Sequence, residues 1–175
     1  MSQTSLCNNS LAFIARANEY CSAAEHARET DRQEFIATMV RLLPRLYITA
    51  SDLKPDGVAI EEDAYLEQTL DEDYYESIRR KIEYLMGPDD TYLEVFEEDM
   101  KYSDTPIAAS IAEGLADIFQ VLYNFVEMIR DTPPSVTEGA IIAVREDFDS
   151  YWSRILCNVM RPLNAIFRST EEPPY

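Results

Sequence analysis

Glu113 and Asp117 stand four residues apart inside the stretch from Ile111 to Val126. On a helix that spacing puts both carboxylates on one face. Two hard oxygen ligands so placed can share a divalent cation, Mg or Mn, provided a neighbouring helix supplies further acid. The plainer alternative is a hydrated or hydrogen-bonded polar stripe, because Ser110, Glu113, Asp117, Gln120, Asn124 and Glu127 recur at alternating steps of three and four. A second chemistry is spread over residues 61–104, where sixteen acidic residues face four basic ones and six of the 11 tyrosines fall. Carboxylates steer a basic partner toward them, and tyrosines supply contact area once it arrives. Tyr92, Glu97, Glu98, Asp99 and Tyr102 are the residues expected to meet such a partner. The competing accounts are a solvated outer face whose tyrosines pack inward, and an ordered row of carboxylates imitating nucleic acid.

Other chemistries lack their residues. The glycines Gly57, Gly87, Gly114 and Gly139 are dispersed, so neither a P-loop nor a dinucleotide fingerprint can form. His26 has no histidine companion and no Ser or Cys placed to use it as a base, and an exposed position at a helix end suits it best. Cys7, Cys21 and Cys157 contain no CxxC spacing. On one helix Cys7 and Cys21 would be about 21 Å apart and could not bridge, so the three are read as buried free thiols of a reducing compartment.

The helices carrying these groups are read from apolar spacing. A first helix is expected from Asn8 to Arg28 with a weak apolar face. Thr30 and Gln33 form a capping-box pattern ahead of the stripe Phe35, Ile36, Met39, Val40, Leu43, Leu46 and Tyr47, with Pro44 expected to kink or end it. Asp52, Pro55, Asp56 and Gly57 mark a loop over residues 51–60. Asp71 can cap a third helix ending at Met86, where Gly87 suits a left-handed cap. Short helical turns are expected over 62–69 and 91–99. Thr105 and Pro106 read as the start of a long helix with Ile107, Ile111, Leu115, Ile118, Leu122, Phe125 and Ile129 inward. Its narrow polar stripe demands neighbours on most sides and makes it central. Pro133 and Pro134 break the chain, and Ser135 can cap a last helix bent by Pro162, with a frayed tail over about 169–175.

No stretch alternates with period two between hairpin turns, so no sheet is expected. The fold class is therefore all-α: one domain over residues 1–175, a bundle of four long helices plus short extra ones. The chain carries 15 basic and 33 acidic residues, a net charge of -18, which disfavours nucleic acid and anionic membranes as partners and favours basic proteins or cations. Neither a leader segment nor a run of about 18 apolar residues is present, so a cytoplasmic protein without a membrane anchor is expected.

Two resemblances bear on function. The stretch IAEGLADIFQVLYNFV is similar to the metal-binding helix of the all-helical nucleoside-triphosphate pyrophosphohydrolases. That resemblance implies magnesium-dependent hydrolysis, with Glu113 and Asp117 as ligands and Glu61, Glu62 or Glu94 enlisted from elsewhere. The sequence departs from that pattern at Gly114, three residues before Asp117, where the family places an acid. Over nearly its full length the chain resembles a bacterial family, the domain of unknown function five-zero-six-three. The segments Phe35 to Tyr47, Tyr74 to Ile78, Tyr92 with Phe96, Ile111 to Phe125, and the helix around Tyr151 and Trp152 carry the resemblance. It implies a compact helical fold and transfers no catalytic residue. The function expected from the residues is a non-enzymatic interaction module for a basic partner, needing no cofactor, with metal-dependent nucleotide hydrolysis as the alternative.

Overall fold

The structure is a computed structural model that describes residues 6–54, 64–94, 101–102 and 105–171. Six α-helices are seen among them: α1 (Asn8–Glu25), α2 (Arg32–Ser51), α3 (Glu72–Met86), α4 (Ile111–Ile129), α5 (Pro134–Asp147) and α6 (Ser153–Glu171). Two strands, β1 (Thr91–Glu94) and β2 (Ile107–Ser110), pair antiparallel with Thr91 opposite Ser110 and Glu94 opposite Ile107.

The architecture is mainly helical, with α4 at its centre. This helix touches α1, α3, α5 and α6. Ile111, Leu115, Ile118, Phe119, Leu122 and Phe125 are all fully buried along it. At roughly 1.5–3 kcal/mol per large apolar side chain removed from water, that seam outweighs any local preference of the surrounding turns. Aromatic rings lock the far side: Phe13 lies 5.3 Å from Phe125 and 6.3 Å from Trp152, and Trp152 lies 4.6 Å from Phe148. Trp152 donates its indole N–H to the Val144 carbonyl at 3.3 Å, so its one polar atom is satisfied inside the core.

The small ribbon corrects the expectation of no sheet. Residues 91–94, expected in a helical turn, form β1, and residues 107–110 pair with them as β2 instead of forming the first turn of α4. The helix therefore does not open at Thr105 and Pro106. It opens after Ser110, whose hydroxyl accepts from the Glu113 N–H at 3.1 Å and donates to Asp90 at 2.6 Å. The Asp90 carboxylate also accepts from the Ala112 N–H at 2.7 Å, so a side chain from the base of β1 holds the helix start.

Other boundaries differ from expectation for equally local reasons. Thr30 does not cap α2; its hydroxyl donates to the His26 carbonyl at 3.1 Å, and Asp31 takes the N-cap position without a side-chain bond. Pro44 sits inside an unbroken α2 on its exposed side. The end of α2 is held from outside: Arg145 donates to the carbonyls of Ala50, Ser51 and Leu53. Pro134 occupies the first turn of α5, so Ser135 is not its cap. Residues 64–70 are irregular and show no helical turn. Asp71 does cap α3, accepting from the Tyr74 N–H at 2.7 Å, and Gly87 closes it at φ 58°. Cys21 is buried, but Cys7 and Cys157 are exposed, so two of the three thiols are not core groups. His26 is exposed at the end of α1.

Between α5 and α6 the rod contains a π-helical turn over Phe148–Trp152, which periodicity did not predict. One extra residue in that turn rotates the side chains of α6 about the helix axis. No helix among the described residues is long and apolar enough to cross a membrane.

Candidate functional site

Period two along β1 gives the site its first wall. Thr91 and Leu93 are exposed, while Tyr92 and Glu94 are half-buried and share the opposite face. On β2, Ala109 stands opposite Tyr92 and shares its face, and its small side chain leaves that side of the ribbon open. The second wall is α4, contributing Glu113, Gly114 and Asp117, and the third is the π turn and α6, contributing Tyr151, Arg154, Ile155 and Asn158. Together they enclose a cleft of about 300 Å³.

Close approach of α4 and α6 forms the floor. A Cβ built on Gly114 would lie 2.5 Å from Cγ1 of Val159, so no larger residue fits between these helices as they stand. The π turn has a matching effect on the rim, because Trp152 is fully buried while its neighbour Tyr151 remains partly exposed and lines the cleft.

Hydrogen bonds fix the acids. Asp117 accepts from the Tyr75 hydroxyl of α3 at 2.6 Å. Glu94 accepts from the Asn158 amide at 2.9 Å and from the Tyr92 hydroxyl at 3.2 Å. Arg161 of α6 donates to the Leu93 carbonyl, tying the ribbon to the same helix. Burial pushes the Asp117 carboxyl above the ordinary carboxylate range; the Tyr75 hydrogen bond opposes this and the Glu113 charge adds to it. Burial likewise raises the phenols of Tyr75, Tyr92 and Tyr151, with the charges of Asp117 or Glu94 contributing. They are therefore neutral donors and aromatic walls at physiological pH.

The structure brings Glu113, Asp117 and Tyr92 to one cleft. Tyr102 is elsewhere in character, 89% exposed, and Glu97, Glu98 and Asp99 lie outside the described residues, as do Glu61 and Glu62. Sequence reasoning missed Tyr75, Tyr151, Arg154 and Asn158. The last three are spaced at three and four residues, a helical face, but the π turn sets where that face points, and no periodic pattern announces it.

Among the described residues Glu113 and Asp117 gain no third ligand for a divalent metal. Among the described residues no three His, Cys, Asp or Glu side chains are close enough to hold an ion together. The position where a pyrophosphohydrolase helix would carry its extra acid is the contact between Gly114 and Val159. One oxygen of Asp117 is already engaged by Tyr75.

Residues 5–169 match the family described as Domain of unknown function (DUF5063). The chain belongs to that family. The cleft lies inside the part of the chain that matches DUF5063, since its lining runs from Tyr92 to Asn158. The crystal structure of protein BF1032 from Bacteroides fragilis is similar, with 27% sequence identity and a TM-score of 0.78, over 96% of this chain and 95% of that one. A comparison with curated proteins found no match.

Proposed function

We propose that this DUF5063 chain is a non-enzymatic interaction module that captures a basic protein partner at the cleft between the ribbon, α4 and α6. One observation carries the reading: Glu94, Glu113 and Asp117, from two different elements, face a single concavity walled by Tyr92 and Tyr151. A Lys or Arg side chain entering there exchanges water for carboxylate oxygens and aromatic faces, the combination that favours a desolvated cation. The net charge of -18 draws such a partner in from a distance.

Titration of a labelled Lys- and Arg-rich peptide tests the proposal. Binding is expected at low salt, weakened at least about tenfold by high salt or by Glu113→Lys, because each removes favourable charge pairing. Glu113 is exposed, so the reversal leaves the fold intact and circular dichroism checks that it does. Affinity indifferent to both changes would end the proposal.

A further inference from the structure

We infer that the cleft takes the C-terminal residue of a basic chain, its cationic side chain lying against the acids of α4 and its α-carboxylate against Arg154. This deepens the proposed cation-binding reading and rests on it. The reason is that the cleft holds charges of both signs, sorted by wall. Glu113 and Asp117 come from α4 and Glu94 from β1, whereas Arg154 comes from α6.

Arg154 differs from half of the twelve arginines of this chain. Arg16, Arg32, Arg79, Arg80, Arg130 and Arg145 all pair with a carboxylate. Arg154 shares its cleft with three carboxylates, yet among the described residues it makes no ion pair and no hydrogen bond. A purely cationic ligand would satisfy the acids and be opposed by Arg154. A purely anionic one would meet three like charges. A ligand with a cation at one end and a carboxylate at the other answers both walls, and a planar guanidinium is well suited to grip a carboxylate through two parallel N–H bonds. The volume of about 300 Å³ is at the lower limit of small-ligand sites, enough for one residue with its terminus but not for a folded surface. Tyr151, one turn from Arg154 on the rim, sets the entrance through the π turn.

The same chemistry is offered by a chain end and by a free basic amino acid, so the experiment uses three probes: a peptide ending in arginine with a free carboxylate, its C-terminal amide, and free arginine. With the wild-type protein, the free-acid peptide is expected to bind about tenfold more tightly than the amide, the worth of one charged hydrogen-bonded contact. In Arg154→Gln the two peptides should bind alike, at the strength the amide shows with the wild type. Arg154 is exposed, so this variant is expected to fold normally. Equal binding of acid and amide to the wild type overturns the inference while leaving cation capture standing. No binding of either peptide at low salt overturns both. Free arginine binding as tightly as the free-acid peptide overturns the assignment to a chain end in favour of a small amino acid.

Discussion

Asp117 shows how a half-buried charge differs from a packing position. Its carboxyl is raised above the ordinary value of 3.8, chiefly by burial, so between that value and the raised one the folded state keeps a proton that the unfolded chain releases. Stability therefore falls as pH climbs through the window, and at neutral pH the full deficit is present. Asp117→Asn keeps an acceptor for the Tyr75 hydroxyl and should raise the melting midpoint at neutral pH, a gain that disappears as the pH is brought below 3.8. The same variant should weaken peptide binding, and improved stability together with lost affinity is what a ligand-facing charge predicts. Gly114 is the opposite case. Helix propensity alone would make Gly114→Ala stabilising by about 1 kcal/mol, but the new methyl meets Val159 at 2.5 Å. Overpacking of about 1–3 kcal/mol outweighs it. Denaturant titration should show a net loss, and the double variant with Val159→Ala should be more stable than the two single effects sum to.

Among the elements, the irregular segment before α3 is held by one side chain. Asn124 of α4 is 1% exposed and accepts from the N–H groups of Thr69 and Leu70 and from the Thr69 hydroxyl, while its amide reaches Gln68 at 3.3 Å. Asn124→Ala strands two backbone donors and should cost about 2 kcal/mol. Limited proteolysis should then cut near residues 64–70 before the helices are attacked. In the sequence Asn124 is one member of a polar stripe, and nothing distinguishes it from Gln120. The stripe was legible; the division of labour within it was not, because that depends on which neighbour covers each position. The same holds for the ribbon. Thr91 to Glu94 is a four-residue segment, too short for alternation to outweigh a helical reading, and its strand state is set by β2 lying alongside.

For the molecule as a whole, the central position of α4 and the acidic charge combine to favour ligands that are cationic. They do not by themselves make a metal site. Magnesium or manganese, compared with sodium chloride at equal ionic strength, should leave the melting midpoint unchanged, since only a ligand bound by the folded state raises it. A specific rise that Asp117→Asn removes would instead restore the hydrolase reading of Glu113 and Asp117.

Residue order alone settled the helical class, the centrality of the segment through Leu115 and Phe125, the Asp71 and Gly87 ends of α3, and the excess of negative charge. These depend on a residue's near neighbours and on total composition, both of which a linear reading contains. It took packing in three dimensions to establish that Glu94, Glu113 and Asp117 line one cleft, that Arg154 lines it from α6, and that Gly114 admits Val159. Those contacts join residues far apart in the chain, and their geometry was set by the burial of whole helix faces and by a single π turn.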